Sequence, residues 1–226
     1  MVDTDAAARV VLLVTTDGII GIELYDTIAP QTCNAFWQCA VRGLYDDTVF
    51  HRLVPQFVVQ GGRLSTEGQN EGGDANCGGV DAELTGPDEI DQRLRHTGAG
   101  VVSAVNLGYP NSNTSQFFIT LSPQPRLDGR NTIFGRVCRG MSAVAAISKQ
   151  SVDTATFEPL NPTRIIRCEG KTLPKALRPL HLQLWTSDLH ATKPAGAAAR
   201  GPQVKRPREG RQALKAIVDA YAESAV

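Results

Sequence analysis

Two runs of the chain set polar donors among large apolar side chains in a way that core packing alone does not require. The first is Phe50-His51-Arg52-Leu53-Val54-Pro55-Gln56-Phe57-Val58-Val59-Gln60-Gly61-Gly62, and the second is Asn111-Ser112-Asn113-Thr114-Ser115-Gln116-Phe117-Phe118-Ile119-Thr120. If both are strands, alternation puts Arg52 and Val54 on one face, and Val58 and Gln60 together on one face. Other chemistry leaves no trace. No GxSxG, HExxH, Walker loop or paired Cys/His metal spacing occurs. Gly98-Ala99-Gly100 is only a partial GxGxxG and precedes a strand, which argues against a dinucleotide site. His51, His96, His181 and His190 are scattered; His51 beside Arg52 is read as a structural histidine at a strand edge rather than a base or ligand. Neither a cofactor nor a metal is expected.

The elements that must position these residues are mostly short strands. Val10–Thr16 and Ile19–Tyr25 flank Asp17-Gly18 and read as a β-hairpin with a type I′ turn. Cys33, Phe36, Trp37, Ala40, Val41 and Leu44 recur on one helical face, with Pro30 in the first turn and Gly43 at the stop. Met141–Ile147 reads as a second, short helix with Met141, Val144 and Ala145 inward. Further strands are expected near 49–53, 57–60, 101–106, 116–121, 132–137 and 163–168. Many short strands with few helices point to a closed or sandwiched antiparallel sheet.

Composition is that of an ordinary globular chain, 42% hydrophobic and 20% charged over 226 residues. A formal net charge of zero gives no bulk attraction to nucleic acid or anionic membrane, and no apolar segment approaches a membrane span. The odd set Cys33, Cys39, Cys77, Cys138 and Cys168 contains no CxxC, and Met1-Val2-Asp3-Thr4-Asp5 lacks a signal-like apolar run. An intracellular protein with reduced thiols is expected.

The two runs resemble cyclophilin, the first its FHR-x-x-x-x-F-x-x-QGG block and the second its N-x-N-x-SQFFI-x-T block. His96-Thr97-Gly98-Ala99-Gly100 and Leu127-Asp128-Gly129-Arg130-Asn131-Thr132-Ile133-Phe134-Gly135 resemble further blocks in the same order. The resemblance covers about residues 8 to 170. Arg42-Gly43-Leu44-Tyr45 leading to Phe50 resembles the shorter, spliceosome-associated type. It implies a mainly β fold: an eight-stranded antiparallel closed β-barrel capped by two α-helices, with its groove on the outer face. It also implies peptidyl-prolyl cis–trans isomerisation of proline-containing peptides and proteins.

That reaction rotates an amide whose resonance barrier is roughly 18–20 kcal/mol. No bond is made or broken, so preferential binding of the twisted amide suffices. The resemblance implies Arg52 as the donor to the prolyl nitrogen. It implies Phe57, Val58, Phe118 and Leu127 as the proline pocket, and Gln60, Asn106 and Gln116 as the groove's hydrogen-bonding residues. Departures from the pattern fall at groove positions. Val58 replaces the usual Met, Val105 an Ala, Thr114 a Gly, and Asn131 a His, while Tyr109 resembles an insertion. Arg126 stands at the usual Trp position, which implies weak cyclosporin binding and substrate choice shifted towards acidic peptides. Gly72–Gly79, with Cys77, resembles the family's rim loop.

Residues 1–170 are expected to form the isomerase domain and 171–226 a C-terminal extension. Within it 192–211 reads as a linker and 212–224 as a possible short helix. Lys205-Arg206-Pro207-Arg208 reads as solvated linker or as a nuclear-import or RNA-contact cluster, and the apolar run around Trp185 as a contact with the barrel or with a partner. The nucleus is favoured over the cytoplasm. An active isomerase competes with a second reading, a low-turnover proline-binding module in a larger, spliceosome-like complex. A third reading, a β-barrel with a ligand in its lumen, would require inward polar residues that the strand patterns do not show.

Overall fold

The computed structural model describes residues 8–64 and 86–173. The rim loop with Cys77, Trp185, the basic cluster and the helix expected at 212–224 lie outside the described residues. Among the described residues eight strands and two helices form: β1 Ala8–Thr15, β2 Gly18–Leu24, α1 Pro30–Val41, β3 Arg52–Val54, β4 Val58–Gly61, β5 Val101–Asn106, β6 Asn113–Thr120, β7 Ile133–Arg139, α2 Met141–Ile147 and β8 Ile165–Leu173. All ladders are antiparallel and run in the order β3-β4-β6-β5-β7-β2-β1-β8.

The expected closed barrel is open at one seam. β3 and β8 are the ladder's edges and do not pair as strands. The seam is spanned by an isolated bridge between Val49 and Arg164 and by backbone bonds Phe50 N–H to Thr163 O (2.9 Å) and Ile165 N–H to Thr48 O (2.8 Å). Pro159 and Pro162 lie on the approach to β8 and have no N–H to give a ladder.

Inward side chains fill the interior. Phe36, Tyr45, Phe50, Phe117 and Phe134 are buried, and Phe36 meets Tyr45, Phe117 and Phe134 at centroid distances of 5.0 to 5.5 Å. Each such ring contributes about 1.5–3 kcal/mol by burial, and each ring pair about 0.5–1.5 kcal/mol more. The Tyr45 hydroxyl donates to the Ser115 carbonyl at 2.6 Å, so its burial leaves no orphan polar atom. The lumen is therefore a core.

Three local expectations need correction. Thr15 pairs with Gly18, so the hairpin loop is Thr16-Asp17. Neither loop residue has positive φ, which excludes type I′; the positive φ falls on Gly18 at 129°. On α1 the buried set is Thr32, Cys33, Phe36, Cys39 and Ala40, while Val41 is 46% exposed. The helix ends as expected: Gly43, at φ 69°, donates to Ala40 O and Leu44 to Cys39 O. On α2 the inward residues are Ala143, Val144 and Ile147; Met141 and Ala145 face out.

The start of α1 lacks its own cap. Glu89 supplies one from 57 residues away in sequence, accepting from Gln31 N–H (3.1 Å), Thr32 N–H (2.8 Å) and Thr32 Oγ1 (2.8 Å). Gly62 has φ 80°, and a Cβ there would lie 2.8 Å from the Phe117 ring and 3.0 Å from the Ser115 carbonyl. Gly62→Ala is expected to destabilise the fold by about 1–3 kcal/mol. An unchanged urea midpoint would show that Phe117 is not locked against this turn.

Candidate functional site

The outer face of the sheet carries a row of side chains fixed by register. Arg52 pairs with Gln60, Gln60 with Phe118, and Phe118 with Ser103. Val58 pairs with Val54 across β3–β4, two residues along the same face. Their alternates Leu53, Val59, Phe117 and Val102 point into the core. Arg52 is exposed and forms no ion pair among the described residues, whereas Val58 and Phe118 are buried. A cation and an amide thus border an apolar floor.

Gln60 Nε2 donates to Gln116 Oε1 at 2.8 Å, which orients both amides. Asn106 Nδ2 donates to the Arg130 carbonyl (2.8 Å) and Asn131 Nδ2 to the Ala104 carbonyl (3.1 Å), so both asparagines tie β5 to the segment before β7. Val105, half-buried, accepts from Thr114 Oγ1 at 3.1 Å. Thr114, which replaces a Gly, needs no glycine-like backbone: it lies in β6, and the positive φ values of this loop fall on Gly108 (89°) and Asn111 (57°).

Arg126 and Leu127 lie in a 3-10 turn, Pro125–Leu127. The Arg126 guanidinium stands over the Phe57 ring, 4.0 Å from its centroid. The turn is laced to the β3–β4 loop. Leu121 N–H donates to Phe57 O (2.9 Å), Gln124 Nε2 to Gln56 O (3.0 Å) and to Ser122 Oγ (2.8 Å), and Ser122 Oγ also donates to Gln56 O.

Sequence reasoning left out the support behind Phe118. His96, 1% exposed, lies against Phe118 with rings 22° apart and centroids at 6.1 Å. Its Nδ1 is 2.8 Å from Asp128 Oδ1 and its Nε2 2.9 Å from Ser103 Oγ. Burial lowers the His96 pKa against the pull of Asp128, so the ring is neutral. Burial works to raise the Asp128 pKa, but the His96 backbone and ring with Arg95 lower it overall. A carboxylate only accepts, so Nδ1 carries the hydrogen and Ser103 donates to Nε2. The order Ser-His-Asp resembles a nucleophile relay, yet Ser103 is fully buried and points at the histidine, not at the groove. The chain of bonds spans 32 residues between His96 and Asp128, beyond any local spacing.

Residues 10–170 match the family described as cyclophilin type peptidyl-prolyl cis-trans isomerase/CLD. The chain belongs to the cyclophilin family. It is 45% identical over 157 residues to peptidyl-prolyl cis-trans isomerase CYP18-2 of Arabidopsis thaliana, covering 70% of this chain and 90% of that protein. It is 50% identical over 134 residues to peptidyl-prolyl cis-trans isomerase-like 1 of Gibberella zeae, covering 59% and 78%. The crystal structure of a Cryptosporidium parvum cyclophilin type peptidyl-prolyl cis-trans isomerase superposes with a TM-score of 0.63 at 29% identity, covering 74% of this chain and 99% of that one. A second crystal structure of that protein, in the presence of the dipeptide Ala-Pro, gives 0.60 at 29% identity, covering 70% and 96%. This cyclophilin is a peptidyl-prolyl cis–trans isomerase of mainly β fold, and its family binds proline-containing peptides.

His51, beside Arg52, has two buried ring nitrogens that lack a well-aligned hydrogen bond among the described residues, with Val49 and Gln116 as its polar neighbours. Burial first, and then the Arg63 charge, lowers its pKa to about 4. The unfolded chain titrates near 6.5. From about pH 6.5 down to about 4 the unfolded state takes up a proton that the native state refuses, so stability falls as pH drops through that window. His96 adds in the same direction. His51→Gln is expected to lose less stability than wild type between about pH 7 and about pH 4.5 in urea melts. Equal losses would clear His51 of this role.

Proposed function

We propose that this cyclophilin accelerates Xaa-Pro rotation through Arg52, aided by Gln60, over a proline pocket of Phe57, Val58, Phe118 and Leu127. The observation that carries this reading is the register Arg52–Gln60–Phe118, which sets a charged donor, an amide and an aromatic wall side by side. Twisting the amide removes resonance and leaves a lone pair on the prolyl nitrogen. A guanidinium donating to that nitrogen stabilises the twisted state more than the planar one, and a charge-assisted donor is stronger than a neutral one. Gln60, held by Gln116, grips the substrate backbone, and Asn106 pairs with it further along the groove. Asn131 and Val105 shape the groove's far wall.

A second reading, a slow isomerase that holds a proline segment within a multiprotein complex such as the spliceosome, draws on Val105 and Arg126 crowding the groove and on the chain beyond 171. It carries with it a nuclear location. One assay separates the two. In protease-coupled isomerisation of a Xaa-Pro peptide, Arg52→Ala is expected to lower kcat/KM on the order of 10²-fold, the scale of losing one transition-state donor. A wild-type rate no faster than buffer would favour the holding role; a fast rate unchanged by Arg52→Ala would remove Arg52 from the mechanism. Arg126 also replaces a broad apolar wall. Weak cyclosporin binding is therefore expected, strengthened by Arg126→Trp; a titration showing no gain would dissociate the drug site from this position.

A further inference from the structure

Arg126 is an exposed cation beside the proposed proline slot. Its guanidinium covers one face of Phe57 at 4.0 Å, and it forms no ion pair among the described residues. Asp128, the acid nearest in sequence, is engaged by His96 and lies 3.8 Å from Arg95. Among the described residues, Arg126 is thus a cation on a ring with its charge unanswered.

The stack constrains what the guanidinium can still do. Lying over an aromatic ring uses the flat face of the group and leaves the N–H donors on its edge. Those donors form a planar fork that fits a carboxylate or a phosphate two-pronged. The mounting is firm, because Gln56, Ser122 and Gln124 lace the Phe57 loop to the turn that carries Arg126. Arg52, another cation placed by the proposal on this groove, also lacks an acidic partner among the described residues, which adds to the positive potential.

We infer that Arg126 makes this enzyme select proline sites that carry an anionic side chain, carboxylate or phosphate, immediately beside the proline. The inference rests on the groove reading above. Phe57 lines the proposed proline slot, so donors stacked on it reach a neighbour of the proline and not a distant residue. An anionic side chain either takes the edge donors in place or draws the guanidinium off the ring. In both cases only an anionic substrate gains the cation. A cationic side chain in the same place meets repulsion.

The test is a matched peptide series with Ala, Glu, phosphoserine or Lys placed before and, separately, after a single proline. NMR exchange spectroscopy on the full chain reads kcat/KM for each, in wild type, Arg126→Gln and Arg126→Lys. The readout is the ratio of anionic to Lys peptide, which a general loss of activity does not move. Wild type is expected to favour the anionic peptide roughly fivefold or more at low salt, with the ratio shrinking in about 1 M salt. Arg126→Gln is expected to bring the ratio near unity and Arg126→Lys to retain part of it. Comparing the Glu and phosphoserine arms separates a carboxylate from a phosphate preference. A wild-type enzyme that isomerises the Ala peptide but shows a ratio of one at both positions overturns this inference and leaves the isomerase reading standing. If wild type isomerises none of the peptides, the groove mechanism fails, and the same ratio read from binding titrations decides the inference.

Discussion

Phe117 occupies space that Gly61 and Gly62 leave open, and the register of three strands follows from that contact. A Cβ on Gly61 would meet the Phe50 ring at 2.9 Å, and one on Gly62 the Phe117 ring at 2.8 Å. The two rings pack edge to face, 6.1 Å apart. Sliding β4 by one residue would drive a side chain into one of them. It would also turn every outward residue inward, because side chains alternate with a period of two. Arg52, Gln60 and Phe118 share a face because their neighbours Leu53, Val59 and Phe117 are held in the core. The geometry of the groove is thus set from behind, by packing that no substrate touches.

A second layer of polar bonds sets the loop side of the groove. The segment 121–131 carries Arg126, Leu127 and Asn131, which the proposal assigns to the groove, yet it contains only a single 3-10 turn. Its shape comes from bonds to other elements: Leu121 and Gln124 to the β3–β4 loop, Asp128 to His96, and Asn131 to β5. Buried bonds of this kind contribute about 1 kcal/mol each, and leaving one partner unpaired costs more. The neutral His96 joins the layers, since its ring lies against Phe118 while its nitrogens hold Ser103 and Asp128.

The sequence displayed the parts that obey local rules. Strand alternation put Arg52 with Val54 and Gln60 with Val58, and the antiparallel ladder then sets the pairs opposite each other. Pro30 and Gly43 marked the ends of α1. The helix faces depart from the apolar pattern at Met141 and Val41 because an apolar type does not ensure burial: both are partly in water. The hairpin turn departs from the strong local Asp-Gly signal: the Thr15 hydroxyl donates to Gly18 O at 2.6 Å and the loop sits one residue earlier, on Thr16-Asp17. The support around His96 was illegible for a different reason: its partners are brought together only when the barrel has formed. The open seam had the same origin, since edge pairing depends on where 151–164 travels and not on the residues of β3 or β8 alone.

A chain with no net charge can still present a positive groove, provided its acids are used elsewhere. Here Asp26 is bound by Arg9, Asp91 by Arg93, Asp128 by His96, and Glu169 by Arg167 and Lys171, while Glu89 caps α1. These acids serve structure, and Arg52 and Arg126 stand at the proposed groove without acidic partners among the described residues. For Arg52 that condition is a requirement of the proposed chemistry: a guanidinium held by a carboxylate has already spent its donors, and an amide nitrogen losing resonance is a weaker competitor than an anion. For Arg126 the Phe57 ring supplies what an acid would have supplied, about 0.5–1 kcal/mol at an exposed site, and does so without occupying the donors. Stacking on an aromatic ring is a way to fix a cation in place and keep it available.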